Sequence, residues 1–302
     1  MAQLSSMKAG PDAAITATSA ARRAAARRRT AATAGRHALL IVVALVFLTP
    51  FLWMITSALK SNDQIVAHPI VWWPSPIQWQ NYSEALNYPG FPFLQFLKNS
   101  ILYSASVTVG TVISCAAVGY GFARMRFPGR DWLFGLTLAT MMIPGIVTFI
   151  PTYVLFKYLH MLGTYAPLIA PNFLGNAFFI FMIRQFFMGM PWELSDAAKV
   201  DGASEWLIFR RIMLPLVRPA LMVVAVFTFL YTWNDFFGPL IYLSDQGQYP
   251  LSLGLFTFKA QRTTDWNHMM AASTVATLPL IALFFFTQRY FLQGITLTGL
   301  KG

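Results

Sequence analysis

Charge is what this chain has least of. Only 11% of its 302 residues are Asp, Glu, Lys or Arg, where roughly a quarter is usual in soluble domains. With 56% hydrophobic side chains it cannot solvate a globular surface, which excludes a soluble protein. Cysteine is nearly absent. The single Cys115 lies in an apolar run without a partner, so neither a disulfide framework nor a cysteine zinc site can form within the chain. The histidines, His37, His68, His160 and His268, stand far apart near the ends of apolar runs, where an amphipathic ring suits the membrane interface better than a metal site. No G-x-x-x-x-G-K-[ST] loop occurs, and no Lys follows a Gly, so nucleotide binding by this chain is not expected. Nor does any cluster of acid, base and nucleophile share a membrane face, which argues against an enzyme.

What the chain does have is long uncharged stretches. Residues 38–59, 99–123, 132–156, 161–183 and 269–288 are each long enough as helices to cross roughly 30 Å of hydrocarbon. A sixth stretch, 219–244, is interrupted only by Asp235. None alternates apolar with polar residues, so a β-barrel is excluded and six transmembrane helices are predicted. Pro144, Pro151, Pro167, Pro171 and Pro279 predict bends within them. The segment 60–93, rich in Trp and Pro, reads as an interfacial loop on the outer face with short helical turns at most.

The net charge of +11 is placed where it sets orientation, not where it would grip nucleic acid. Arg22, Arg23, Arg27, Arg28, Arg29 and Arg36 crowd an alanine-rich leader, so residues 1–36 read as a disordered basic tail and 37–302 as a six-helix membrane domain. Six crossings put 17 of the 22 Lys and Arg on the inner side and 5 on the outer, which predicts that both termini are cytoplasmic. The first apolar run has 22 residues, longer than the roughly 7 to 15 of a cleaved signal, and reads as an anchored helix.

Residues 184–218 form a polar island between two apolar runs. A short helix is predicted after Pro191, with Glu193 and Asp196 near its positive end; Gly202 then permits a turn at positive φ, and Ser204 can cap a second helix. Ala197 and Ala198 would keep one side of this knob slim enough to enter a partner's groove. The spacing of Asp196, Ala197, Ala198, Gly202, Ile212, Leu214 and Pro215 resembles the EAA motif of ATP-binding-cassette (ABC) importer permeases, with Asp196 where Glu is usual. Three further segments resemble the maltose-type, MalG-like sugar permeases of that superfamily. These are Gly119 to Arg124 with Phe127, Pro128, Gly129 and Arg130; Trp233 to Phe236 with Pro239, Leu240 and Ile241; and Gln288, Arg289 and Tyr290 with Gly294, Gly299, Lys301 and Gly302.

The resemblance implies an all-α integral membrane fold of the type I importer (MetI-like) architecture, in a prokaryotic plasma membrane, with the island as a cytosolic coupling helix. It also implies coupling to an ATPase through Glu193, Asp196, Ala197, Ala198, Asp201, Gly202, Ile212, Leu214 and Pro215, and a tail contact through Gly299, Lys301 and Gly302. The implied partners are a homologous permease, an ATPase dimer carrying ATP and Mg, and an extracytoplasmic solute-binding protein; this chain binds no cofactor. The implied cargo is a carbohydrate such as an oligosaccharide, although glycerol phosphate or polyol carriers look nearly the same.

Tyr231, Trp233, Asn234 and Asp235 are candidate pathway residues. A carboxylate inside a lipid-facing span costs about 2.5–3.5 kcal/mol, so Asp235 should face the bundle interior or water. If the fifth helix runs over 215–244, Asp235 lies about 8 Å beyond its midpoint. It could meet a sugar, or hold helices together through an interhelical hydrogen bond. An ion-driven secondary transporter is the rival reading; it would need intramembrane acids, and only Asp235 qualifies.

Overall fold

Backbone groups inside hydrocarbon must be satisfied within their own segment, and helices do this throughout the membrane-crossing parts of the chain. The structure is a computed structural model that describes the backbone of residues 11–261 and 265–298, and the side chains of 29–30, 32–259 and 265–288. Two compact units are distinguished, Met1–Thr56 and Ser57–Gly302.

The first unit is nearly all one helix, α1 (Pro11–Ala58). Its Ala32–Ala58 part has mean hydropathy 2.7. Leu39, Leu40, Ile41 and Val42 place apolar side chains around the whole circumference of the helix, as suits a membrane span. The helix begins at Pro11, inside the leader expected to be disordered; where described, that backbone is helical, in keeping with the high propensity of its alanines and arginines.

In the second unit, α2 (Asn62–Val66) and α3 (Gln80–Leu86) are the short turns expected of segment 60–93. Buried Asn81 holds them down by donating to the carbonyls of Ala58 and Lys60 and accepting from Nδ2 of Asn267 at 3.1 Å. Then come α4 (Phe93–Arg124), α5 (Arg130–Thr140), α6 (Gly145–Tyr158), α7 (Ala166–Ile169) and α8 (Ala177–Met188). After these follow α9 (Glu193–Val200), α10 (Glu205–Ile208), α11 (Leu214–Leu216), α12 (Arg218–Trp233), α13 (Phe237–Tyr242), α14 (Leu251–Gln261) and α15 (Trp266–Thr298). Helix α4 is the centre of the packing, lying against α8, α12 and α14.

Four helical segments among the described residues are long and apolar enough to cross a membrane: Ala32–Ala58, Phe93–Arg124, Ala166–Met188 and Trp266–Gln288. Of the other two expected spans, 132–156 is a bent pair, and the helix of 219–244 joins the second half of the island at a bend. Between α5 and α6 the chain turns by 99°, where Pro144, with no N–H to continue a helix, adopts an extended ψ of 131°. Between Glu205–Leu216 and Arg218–Trp233 it turns by 75°. The fifth helix also stops earlier than expected. It ends at Trp233, and Asp235 sits in the short break before α13 rather than inside a helix running to 244.

Candidate functional site

The island folds into the two-helix knob its sequence predicts. Glu193 and Asp196 occupy the first turn of α9 and Lys199 the last, each where the helix dipole favours its charge. The turn after α9 is a Schellman motif. Ala203 N–H donates to Ala198 O at 2.9 Å and Gly202 N–H to Lys199 O at 3.0 Å, with Gly202 at φ +80°. No atom lies within 4 Å of where a Cβ on Gly202 would be, so conformation and not space demands glycine. Ser204 Oγ then accepts from Leu207 N–H and starts α10, which runs through a five-residue π turn, Phe209–Met213, into α11.

The motif residues divide into two sets. Ala198 is 7% exposed and packs inward with Ala116, Tyr120 and Ala123 of α4, Ile183 and Phe187 of α8, and Ile208. Ile212 and Leu214 pack against the same core. Ala198, Ile212 and Leu214 therefore fasten the knob to the membrane helices, and the expectation that Ala198 offers a slim face to a partner is corrected. Glu193, Asp196, Ala197, Asp201, Gly202 and Pro215 remain exposed. Sequence reasoning missed the apolar residues beside them: Val200 is 88% and Trp206 65% exposed, and Trp192, Leu194 and Leu207 are also open. The available signal was large apolar side chains inside an otherwise polar loop, which mark an interaction surface.

Helix α4 grips the knob with the segment 119–124. A Cβ on Gly119 would lie 2.9 Å from Ile183 Cγ2, so glycine lets α4 and α8 approach closely. Tyr120 donates its hydroxyl to Glu205 Oε2 at 2.9 Å, and Lys199 Nζ reaches Glu205 Oε1 at 2.6 Å. Buried Arg124 donates to Phe187 O at 3.1 Å and Met190 O at 2.7 Å, and its guanidinium lies 4.5 Å from the centre of the Trp192 ring. The Glu205 carboxyl is held below the usual range, first by the Lys199 ammonium and then by the Tyr120 hydroxyl, while burial opposes both. Arg124, Arg126, Trp192, Asp196, Lys199 and Glu205 line a cavity of about 640 Å3 beside the knob.

The four candidate pathway residues are not brought together. Trp233 is buried in an aromatic core with its ring stacked on Phe229 at 5.5 Å, whereas Tyr231 is 76% exposed. Asn234 is exposed and caps α12 by donating to Leu230 O at 2.8 Å. Asp235 acts as a bolt. Its Oδ2 accepts from the Tyr103 hydroxyl at 2.7 Å, its Oδ1 from Gly238 N–H at 3.1 Å, and its backbone carbonyl from Ser252 Oγ at 2.6 Å. One residue thus joins α4, α13 and α14. The proposed tail contacts Gly299, Lys301 and Gly302 lie outside the described residues.

Residues 113–297 match the family of binding-protein-dependent transport system inner membrane components. The chain is 32% identical over 263 residues to the arabinooligosaccharides transport system permease protein AraQ of Bacillus subtilis, spanning 86% of this chain and 93% of that one. It is also 32% identical over 257 residues to a probable ABC transporter permease of Pyrococcus horikoshii, covering 84% and 92% of the two chains. With the sn-glycerol-3-phosphate transport system permease UgpE of Yersinia enterocolitica it shares 32% identity over 265 residues, 86% of this chain and 94% of the other. In three dimensions it resembles a chain of a bacterial ABC transporter involved in the import of the acidic polysaccharide alginate, with TM-score 0.75 and 22% identity over 85% of this chain and 95% of that one.

Proposed function

The chain belongs to the binding-protein-dependent transport system inner membrane components, and on that premise we propose that it is the membrane-spanning subunit of an ATP-driven importer for carbohydrate. It pairs with a homologous permease and takes cargo from an extracytoplasmic binding protein. ATP and Mg are held by a separate ATPase dimer. The cargo crosses unchanged, so this subunit is not an enzyme. Both termini are cytoplasmic, with the basic leader 1–36 setting that orientation, 37–302 forming the permease domain and the carboxyl tail with Gly299, Lys301 and Gly302 reaching towards the ATPase.

One observation carries this reading: a polar knob that displays Val200 and Trp206 to its surroundings while Glu205 and Arg124 clamp it to the central helix. The apolar face of this polar loop stays largely uncovered among the described residues, and a groove in the ATPase would cover it. When that ATPase closes on ATP, a knob clamped to α4 cannot yield locally and must carry the helix with it. Relatedness to AraQ supports carbohydrate as cargo, and arabinooligosaccharides are the class to try first.

Cysteine placed at Ala197 or Val200 in native vesicles should cross-link to the ATPase subunit, while cysteine at inward-facing Ala198 should not. Native Cys115 is buried and leaves the background clean. Failure of both exposed positions to capture an ATPase, or saccharide uptake that persists without one, would refute the proposal.

A further inference from the structure

A cavity of about 360 Å3 opens at the end of α4 opposite Arg124, where α4 meets Tyr165 at the start of α7 and the loop around Gln248. That volume is towards the small end of the roughly 300–1,000 Å3 typical of small-molecule sites. Among the described residues no Asp, Glu, Lys or Arg lines it. Its polar wall comes from residues such as Asn99, Tyr103, Ser106, Thr164, Tyr165 and Gln248.

The tyrosine and Asn99 protons of this wall are already committed. Tyr103 donates its hydroxyl to Asp235, and Tyr165 donates to Gln248 O at 2.6 Å. The Asn99 amide donates to Gly247 O at 2.9 Å and Tyr249 O at 3.0 Å. What remains is a mixed set: the lone pairs of both tyrosine oxygens and Gln248 Oε1, which is buried with no hydrogen-bond partner, accept, while the Ser106 hydroxyl and the Gln248 side-chain amide can donate. A buried unpaired acceptor calls for a donor. Carbohydrate hydroxyls both donate and accept and so match this mixed wall, whereas an ionised phosphate or carboxylate finds no cationic side chain among the described lining residues and meets the like charge of the Asp235 carboxylate directly behind Tyr103. The Tyr103 and Tyr165 rings, 5.5 Å apart, offer apolar faces for sugar C–H groups.

We propose that this subunit itself holds a subsite for a neutral, hydroxyl-rich sugar, with Tyr103, Tyr165 and Gln248 as the accepting groups, and that the subsite rejects phosphorylated and acidic sugars. The inference rests on the carbohydrate reading above and adds to it a location and a charge preference.

The test uses the complete importer in proteoliposomes, with Thr164→Cys as a reporter at the exposed rim of the cavity. Its rate of maleimide labelling is followed with arabinobiose, maltose, glucuronate or sn-glycerol 3-phosphate at matched ionic strength. The two neutral sugars should slow labelling about fivefold or more and the two anions should not. Tyr165→Phe, which deletes one oxygen, and Gln248→Leu should each remove most of that protection. Lack of protection by either neutral sugar, equal protection by glucuronate, or full protection in both variants would overturn the subsite. ATP-driven, binding-protein-dependent uptake of arabinobiose by the same vesicles reports on the carbohydrate reading separately. Uptake without protection overturns the subsite alone, and absence of both overturns the two together.

Discussion

The clamp between α4 and the knob can be taken apart one atom at a time. Glu205 meets two partners in different settings. Lys199 and Glu205 have side chains 50% and 45% exposed, so their ion pair should contribute under about 1 kcal/mol. Tyr120 is only 5% exposed, and its 2.9 Å bond to a carboxylate belongs to the charge-assisted class worth about 1.5–3 kcal/mol. Glu205→Gln keeps an acceptor for Tyr120 but loses the charge, so it should cost about 1 kcal/mol. Glu205→Ala leaves the Tyr120 hydroxyl buried and unpaired and should cost about 2–3 kcal/mol. The assay is a double-mutant cycle of Tyr120→Phe and Glu205→Ala on the thermal stability of the assembled transporter, run alongside binding-protein-stimulated ATP hydrolysis per sugar imported. A coupling energy of about 1–2 kcal/mol is expected, with more ATP hydrolysed per sugar in the variants. The pH dependence has a fixed sign. The folded Glu205 carboxyl lies below its ordinary value of 4.5, so its contribution is complete above that value and is lost as pH falls through the depressed one. Between pH 6 and 8 the wild type should therefore show no change from this group. A coupling energy near zero, or equal effects of the Gln and Ala substitutions, would refute the reasoning.

Two further outcomes follow from the geometry. Gly202→Ala meets no steric obstacle and should cost only the left-handed backbone penalty of about 1–2 kcal/mol, lowering the melting temperature of the assembled transporter without abolishing assembly. Asp235→Ala strands the buried Tyr103 hydroxyl and the Gly238 N–H, so it should lose about 2–4 kcal/mol and reduce the yield of folded complex; a normal yield with altered uptake alone would show that Asp235 is a pathway group instead.

Hydropathy made the crossings legible because a span is defined by composition over some twenty residues, and composition does not depend on long-range partners. It failed where the chain bends without becoming polar. Met141, Met142 and Ile143 read as membrane interior, so the 99° turn before Pro144 was seen only as a proline within a run. The knob was legible down to Gly202 and Ser204 because caps and positive-φ turns are local chemistry. Which side of α9 faces inward was not. Ala197 and Ala198 are chemically identical, and only packing against Phe187 and Tyr120, neither close in sequence, separates them. Asp235 stood out as polar among apolar neighbours, but its partner Tyr103 lies 132 positions away, and no local rule connects the two.

The knob is attached by side-chain bonds to α4, by the packing of Ala198, Ile212 and Leu214 into the helix core, and by the chain itself, which enters from α8 and leaves through the π segment into α12. Load entering it therefore divides among several parallel routes. Weakening any one of them leaves a slackened linkage and not a severed one, so lesions in this region should grade the efficiency of energy conversion, and full uncoupling should require damage to more than one.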